Sequence, residues 1–435
     1  MNIKERKCGQ AVREHSLFVI YFVSLVWLLL SCIYYAASAR ESLSFTQPLI
    51  VYGGALAVAY LAATFLFRSV DHQSYSYVFP QDRVRVLLVG LFILFVAVVV
   101  IHLTTLGHLP AWLAYKSNDS YEIARIRQEG YYRLAIWQRY ASDYAIKGIG
   151  PILLVLAARV RSRFFYPALA VGLFYTTSLF VKANSVYLLL PLVFYFALSK
   201  RFIAATAIAF MMTFSVSLNW ATSSPELRDD FKQVDPGEQV VPSLREEIAG
   251  PKWEIKQAEA PTSGIPGWSL LMSFRERLVI VPAQVTAQWY FQYEDASERE
   301  EGCGYRVLAK LLGCEYVHMP TKLYGIYHAE LVQQRGLTGS LNTGSYMHDF
   351  GNFGYVGVIF GAVVFGILFT VVRFVCRSDS AFLALNLMPV LSLPEMPLST
   401  VLNSGGWLLI IGVCIFLRYG GLRQEILRQG VEAKA

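Results

Sequence analysis

The chain has 435 residues, of which 55% are hydrophobic and 16% are charged, and its mean hydropathy is +0.43. This composition is too apolar for a soluble globular protein, so it predicts an all-α polytopic membrane protein. The net charge of +7 is spread along the edges of apolar segments and is not gathered in one soluble patch. This distribution argues against nucleic acid as a partner.

Ten apolar segments follow one another along the chain, and most approach the ~20 residues that a membrane-spanning helix needs. In order they are 17–37, 48–67, 84–103, 140–158, 164–181, 185–198, 202–220, 350–372, 381–393 and 398–417. The sixth and ninth are short. The first resembles a cleaved signal peptide ending near Ala37, but its apolar run exceeds the ~7–15 residues of such a segment, which favours an uncleaved helix.

Lysine and arginine at the short loops orient these spans, because positive charge near a membrane normally faces the cytoplasm. Every short loop on one side carries at least two such residues, which places both termini inside. The chain then divides into three parts. Residues 1–220 form a bundle of about seven helices with an outer loop at 104–139, residues 221–347 form a large outer loop, and residues 348–435 form about three helices and a cytoplasmic tail.

A second group of arginines falls in the two long outer segments, where positive charge is normally depleted. These are Arg125, Arg127, Arg133 and Arg139 in the first segment, and Arg275, Arg277 and Arg335 in the second. Guanidinium groups bind phosphate oxygens through paired donors, so the two clusters indicate a phosphate-bearing substrate. The alternative is that the arginines contact membrane lipid headgroups and the aromatic residues between them form an interfacial belt.

Polar and glycine residues crowd the entrance to the eighth span, between positions 336 and 357. A carboxylate or imidazole there could take a proton from a sugar hydroxyl, whereas the alternative for His348 is a structural hydrogen bond. We select Arg335, His348 and Asp349 as candidate catalytic residues. The candidate residues for diphosphate or substrate binding are Arg125, Arg127, Arg133, Arg275, Arg277, Asn342 and Tyr346.

The six cysteines show no metal-ligand spacing, and no Asp-x-Asp metal signature is present in the sequence. No metal or other cofactor is therefore expected. Cys303 and Cys314 share the large outer loop, which predicts a disulfide between them, with two free thiols as the alternative.

Asn342-Thr343 is followed by Asp349-Phe350-Gly351 and Phe353-Gly354, which open a glycine-rich span after a large outer loop. Together with the segment from Arg275 to Tyr293, this pattern resembles the Wzy-type oligosaccharide repeat unit polymerases of bacterial surface polysaccharide synthesis. The resemblance is sharpest near 275–293 and 335–366. An Arg-x10-Gly spacing found in some members fits Arg139 and Gly150, but Arg335 has Tyr346 where the glycine would stand.

The resemblance implies a metal-independent glycosyltransferase of GT-C-like architecture in the bacterial inner membrane. Such enzymes join oligosaccharides linked to undecaprenyl diphosphate at the periplasmic face, and a chain-length regulator is the expected protein partner. An O-antigen ligase is one alternative. A transporter or flippase of lipid-linked sugar is another, although transporters usually carry charged residues in mid-membrane, and here the charges are expected at the edges of the spans.

Overall fold

The computed structural model describes residues 14–67, 81–117, 119–223, 272, 275–335, 339–376 and 379–418. Every regular element in these ranges is helical, as the composition predicts. Six helical segments are long and apolar enough to cross a membrane, by length and composition. The protein is therefore an all-α, multi-pass membrane protein.

The described part of the N-terminal half contains ten α-helices. They are α1 (Ser16–Ala39), α2 (Gln47–Leu66), α3 (Gln81–Leu106), α4 (Pro110–Lys116), α5 (Ser120–Tyr132), α6 (Ile136–Tyr144), α7 (Gly150–Arg159), α8 (Phe165–Ser178), α9 (Lys182–Leu198) and α10 (Phe202–Ser223). A π-helical turn, Ala145–Ile149, joins α6 to α7 without a break, so that the six candidate spans include the continuous segment Ile136–Arg159.

The described part of the C-terminal half has one long helix and several shorter elements. They are α11 (Val281–Tyr293), α12 (Arg306–Leu312), α13 (Met319–Tyr327), α14 (Ala329–Arg335), α15 (Ser345–Cys376), α16 (Ser380–Ser392), α17 (Leu398–Leu402) and α18 (Trp407–Arg418). A second π-helical turn, Glu276–Ile280, precedes α11, and 3-10 turns occupy Leu43–Thr46 and Ala296–Glu298. Residues 276–293, which belong to the segment from Arg275 to Tyr293 singled out in the sequence, are thus helical.

Each of the ten predicted spans coincides with helix, but the tenth is not continuous as the sequence suggested. It is interrupted between α17 and α18 at Gly405 and Gly406. Gly406 adopts a left-handed φ of 72° and packs against the π-helical turn, where a Cβ would lie 3.0 Å from the backbone of Gly148. Close backbone approach therefore causes the interruption. Since α9, α16 and α18 are also short apolar helices, a count of ten spans stays a prediction.

The chain divides into two compact units. The first, called the bundle unit here, comprises Met1–Val23, Gly54–Pro225 and Phe360–Ala435, and the second, called the loop unit, comprises Ser24–Gly53 and Glu226–Ile359. Helix α7 is the centre of the bundle unit, because all residues from 150 to 158 are buried. Gly150 allows α9 to approach closely, since a Cβ there would lie 2.5 Å from Leu188 Cδ1.

Several arginines that the sequence assigns to the cytoplasmic side have partners within the bundle unit. Arg159 pairs with Asp379, which also caps α16 by accepting from two backbone N–H groups. Arg373 pairs with Glu14 at 3.4 Å, and Arg418 donates to backbone carbonyls at the end of α15. The Asp379 cap and the Arg418 contacts satisfy backbone groups that helix termini leave open.

The expectation that charged residues stay at the edges of the spans is wrong for Ile136–Arg159. Lys147 Nζ lies 2.7 Å from Asp143 Oδ1 inside this segment, and the two side chains are only 17% and 18% exposed. Residues four apart face the same side of a helix, so the local geometry brings the two charges together. Mutual neutralisation lowers the cost of burying them in an apolar segment.

Candidate functional site

The first turns of α15 lie in the core of the loop unit. Tyr346 is completely buried, and its hydroxyl lies 2.9 Å from Thr286 Oγ1 on α11. His348 and Met347 are also buried. The candidate residues at this helix entrance are therefore packed inside protein, on a face that is fixed by α11.

His348 packs against Trp289, with ring centroids 4.5 Å apart. Trp289 is itself fixed, because it is fully buried and its indole N–H donates to the Leu341 carbonyl at 2.8 Å. The Nε2 atom of His348 is buried and has no hydrogen-bond partner among the described residues. A buried polar atom without a partner is uncommon in folded proteins and calls for an explanation.

Among the described residues, only Oδ1 of the Asp349 carboxylate has a hydrogen-bond partner. Tyr305 donates its hydroxyl to Oδ1 of Asp349, whereas Oδ2 is buried and unpartnered within the described part of the chain. Burial and the adjacent Asp349 carboxylate raise the pKa of Tyr305 well above its usual range. The phenol therefore stays protonated and donates, which fixes the carboxylate and leaves one oxygen available.

Asn352 joins α15 to the loop that carries the disulfide. Its Oδ1 accepts from the backbone N–H groups of Gly302 and Gly304, at 3.2 and 3.0 Å, and its Nδ2 donates to the His348 carbonyl at 2.8 Å. Asn352 is 1% exposed, so these bonds are shielded from water. The amide thereby positions residues 302–305 relative to the candidate catalytic turn.

The predicted disulfide is present, since Cys303 and Cys314 are bonded to each other across 11 positions. The loop that it closes contains α12, and this helix ends at Gly313, which takes a left-handed φ of 72°. Tyr305, the partner of Asp349, belongs to the same loop. The disulfide and Asn352 together restrict the position of Tyr305.

Helix α15 has a local break at Gly354, where φ is 60° and ψ is −147°. Arg299 lies beside this break, because a Cβ on Gly354 would be 2.7 Å from one of its guanidinium nitrogens. Arg299 also donates to the carbonyls of Tyr293 and Glu294, and it lies 5.4 Å from the centroid of the Phe350 ring. Only glycine allows both the backbone angles and the arginine at this position.

The other candidates of the loop unit lie nearer its surface. Arg275 and Arg277 are exposed, and Arg275 contacts Tyr34 through both a hydrogen bond and the ring face, with 5.4 Å to the centroid. Asn342 is exposed in the segment that precedes α15. Arg335 ends α14, and its side chain lies outside the described part of the structure.

The bundle unit contains a cavity of about 400 Å³ that is lined by residues of α4, α5 and the adjoining turns. Its ionisable lining residues are His108, Lys116, Glu122, Arg125, Glu129 and Arg133. Glu129 lies 2.9 Å from Arg133 and 3.7 Å from Arg125, so the two arginines share one carboxylate. Arg127 is exposed on the same helix and is not among the lining residues.

The two predicted arginine clusters thus belong to different units, the first to the bundle unit and the second to the loop unit. Arg125 and Arg133 do share a cavity within the bundle unit. Within the described ranges, no group of three or more His, Cys, Asp or Glu side chains is arranged to hold a metal ion.

Sequence reasoning missed four residues that shape the buried site, namely Trp289, Arg299, Tyr305 and Asn352. The sequence offered a signal for one of them, because Asn352 stands one turn after His348 in the polar entrance to the eighth span. The others contact α15 from distant positions in the chain, and no local pattern marks them.

Comparison with known proteins gives no relative for this chain. No protein-family model, no curated protein and no solved structure matches it.

Proposed function

We propose that the protein is a glycosyltransferase that polymerises undecaprenyl-diphosphate-linked oligosaccharide repeat units at the periplasmic face of the bacterial inner membrane. The observation that carries the proposal is the pair of unpartnered buried atoms on adjacent residues, His348 Nε2 and Asp349 Oδ2. Both stand at the entrance of a long apolar helix. If these side chains served only in packing, two buried polar atoms without hydrogen bonds would destabilise the fold without any benefit.

The proposed reaction is a displacement at the anomeric carbon of the donor sugar. A hydroxyl of the acceptor glycan donates its proton to Asp349 Oδ2 as its oxygen bonds to the anomeric carbon. The bond from that carbon to the phosphate oxygen breaks, and the lipid diphosphate leaves with the electron pair. His348 acts beside the carboxylate as a second hydrogen-bonding group toward the acceptor.

Arginine supplies the positive charge that a departing diphosphate requires. The cavity between α4 and α5 supports this part of the proposal, because it places Arg125, Arg133 and Lys116 in one concave surface. Within the loop unit, Arg275, Arg277 and Arg335 are the proposed diphosphate-binding arginines. A cationic site of this kind substitutes for a divalent ion, so the proposed reaction is metal-independent.

The finer architecture belongs to the same proposal. Ten spans in a GT-C-like arrangement, with both termini in the cytoplasm, put 221–347 on the periplasmic side. The paired arginines at one end of the bundle unit, Arg159, Arg373 and Arg418, support the cytoplasmic assignment of that end. Reporter fusions at Gly264 and Arg161 should report opposite sides, and matching sides would contradict the topology.

The experiment that tests the function is the surface-polysaccharide ladder of a strain from which the gene is deleted. A product that carries a single repeat unit supports the polymerase, whereas loss of all attached repeat units supports the O-antigen ligase alternative or a flippase. Complementation with Arg335→Ala should then leave the long-chain ladder absent at normal protein level. Arg335→Lys should restore little, because lysine lacks the paired donors.

A transporter of lipid-linked oligosaccharide is retained as a second candidate because of two observations in the bundle unit. The Lys147–Asp143 ion pair lies within a candidate span, and the last apolar segment is interrupted at Gly405 and Gly406. Transporters build substrate sites from intramembrane charges and broken helices. Accumulation of undecaprenyl-diphosphate-linked repeat units on the cytoplasmic side of the deletion strain would favour this candidate over the polymerase.

A further inference from the structure

A second polar cluster lies in the bundle unit, around the π-helical turn Ala145–Ile149. Such turns are rare and frequently occur at functional sites, since the extra residue redirects side chains. Here the turn carries Lys147, whose ammonium group pairs with Asp143 at 2.7 Å and lies 5.5 Å from the centroid of the Tyr187 ring. The polar cluster therefore includes the Lys147–Asp143 ion pair, with Lys147 against the face of the Tyr187 ring.

The interrupted segment between α16 and α18 lies against the same turn. Tyr187 places its hydroxyl 3.2 Å from Ser392 Oγ, and Tyr144 donates its hydroxyl to Asn403 Oδ1 at 3.2 Å. The close contact of Gly406 with Gly148 fixes this arrangement through the backbone. Tyr144 on α6 and Tyr187 on α9 therefore lie next to Asn403 and Ser392 of the interrupted segment, respectively.

Two side chains on the break have unused hydrogen-bonding capacity. The Asn403 amide nitrogen and the Glu395 carboxylate have no hydrogen-bond partner among the described residues, and both side chains are exposed. Desolvation by the surrounding protein nevertheless raises the pKa of Glu395. The Glu395 carboxyl group is therefore accessible to a ligand although protein atoms lie close to it.

The cluster continues toward the basic cavity through Tyr131 on α5. Tyr131 donates to Asp143 Oδ2 at 3.2 Å, and the Arg139 guanidinium lies 5.6 Å from the centroid of its ring. Helix α5 also carries Arg125, which lines that cavity. One helix therefore joins a phosphate-type site to a cluster of tyrosines, a carboxylate and an amide.

We propose that Tyr144, Tyr187, Glu395 and Asn403 form a saccharide-binding subsite in the bundle unit. The inference rests on the proposed function and names the part of the substrate that this surface takes, namely the sugar residues that follow the diphosphate. Sugars present apolar ring faces and rows of hydroxyl groups. Tyrosine rings bind the faces, while the carboxylate accepts and the amide donates hydrogen bonds.

Other ligand classes fit these residues less well. An anion requires unpaired positive charge, but Lys147 is already neutralised by Asp143. An acyl chain requires an apolar wall, whereas the accessible groups here are a carboxylate, an amide and phenol hydroxyls. A polyhydroxylated, uncharged ligand uses all of them.

The test is retention of free oligosaccharides by the purified full-length protein in detergent micelles. The probe is an array of bacterial-type oligosaccharides that carry neither lipid nor phosphate. The wild-type protein should retain at least one of them, and Glu395→Gln, Asn403→Ala and Tyr187→Phe should each weaken that binding by about 2- to 10-fold, the equivalent of one hydrogen bond. Tyr195→Phe is the matched control, because Tyr195 lies on α9 two turns beyond Tyr187.

The outcomes separate this inference from the proposed function. Retention of no oligosaccharide by the wild-type protein, or equal binding by all variants, overturns the subsite. A single-repeat product from the deletion strain would in that case still support the polymerase. Conversely, binding that depends on Glu395 and Asn403, together with a normal ladder in the deletion strain, would support the subsite and overturn the polymerase. Unchanged thermal unfolding of each variant shows that the binding change is local.

Discussion

Tyr305 donates its phenolic hydroxyl to Oδ1 of Asp349 across 44 positions of the chain, while Oδ2 of the same carboxylate remains buried without a partner. A carboxylate fixed on one side is oriented for a ligand on the other. Tyr305 depends in turn on the Cys303–Cys314 disulfide and on Asn352, which holds the residues just before it. The buried turn of α15 and the disulfide loop therefore form one structural group.

Asp349→Asn should lower repeat-unit incorporation by about 10²- to 10⁴-fold, the usual contribution of a general base. The fold should be retained, because the asparagine oxygen still accepts from Tyr305. Tyr305→Phe should cost less, about 10- to 100-fold, since it removes a hydrogen bond to a charged group and keeps the base. Incorporation is measured with membranes that contain lipid-linked repeat units. Wild-type chain length in the Asp349→Asn strain would remove Asp349 from the mechanism.

Asn352→Ala should destabilise the loop unit by about 1–3 kcal/mol for each backbone N–H that loses its partner. Two such groups, those of Gly302 and Gly304, bond to the Asn352 oxygen in a site that is 1% exposed. Thermal unfolding followed by tryptophan fluorescence measures the change, because Trp289 is buried in this unit. Asn342→Ala is the control, since Asn342 is exposed, and an equal shift in both variants would contradict the role of the amide.

Removal of the disulfide should lower the free energy of unfolding by at most about 3 kcal/mol, as expected for a closed loop of this size. The cysteines are 11 positions apart, so the loop is short and the entropic contribution is modest. Reductant should lower the unfolding temperature of the wild-type protein and have no effect on Cys303→Ser/Cys314→Ser. Mass spectrometry of the non-reduced protein after alkylation provides the second check, because alkylation of both cysteines would exclude the bond.

The sequence located the apolar helices because a membrane helix requires a long apolar run, which is visible without any tertiary information. It did not reveal the interruption between α17 and α18. Hydropathy averages over residues such as Gly405 and Gly406, and the break depends on the approach of Gly148, which is 258 positions away from Gly406 in the sequence. The Lys147–Asp143 pair was overlooked for a related reason, since hydropathy is averaged over the whole segment and does not show that two charged side chains pair with each other.

The candidate site was also predicted only in part from the sequence. His348 and Asp349 were identified from their position at the helix entrance, but their burial depends on Trp289 and Tyr305, which pack on them from other elements. The polar character of the turn gave no sign that it is packed inside protein. That burial results from side-chain packing between distant segments.

The loop unit should lose stability as the pH falls below about 6.5, the pKa of an unperturbed histidine. Burial and Arg306 lower the pKa of His318, and burial lowers that of His328. The unfolded chain therefore binds more protons between the folded and unfolded pKa values, so the stabilisation is complete above pH 6.5 and declines as the pH falls toward the folded values. His318→Gln should reduce the drop in unfolding temperature between pH 7.5 and 5.5. An unchanged drop in the His318→Gln/His328→Gln variant would contradict this assignment.

The basic cavity should bind inorganic pyrophosphate, and its affinity should depend on Glu129 as well as on the arginines. Arg133→Gln or Arg125→Gln should weaken binding by about 2- to 5-fold, because exposed charges contribute only about 0–1 kcal/mol each. Arg127→Gln is the matched control on the same helix, since Arg127 does not line the cavity. Calorimetric titration at low salt measures these affinities, and all of them should fall as the ionic strength rises.

Glu129→Gln provides a sharper test than the arginine variants. Its affinity for pyrophosphate should rise, whereas the affinity of the arginine variants should fall. The Glu129 carboxylate pairs with both arginines, at 2.9 Å from Arg133 and 3.7 Å from Arg125. Its removal frees both guanidinium groups and eliminates repulsion toward the incoming anion, so pyrophosphate should bind more tightly. Weaker binding in Glu129→Gln would mean that the carboxylate positions the arginines for the ligand. Equal affinity in Arg125→Gln, Arg133→Gln and Glu129→Gln would place the phosphate site elsewhere in the protein.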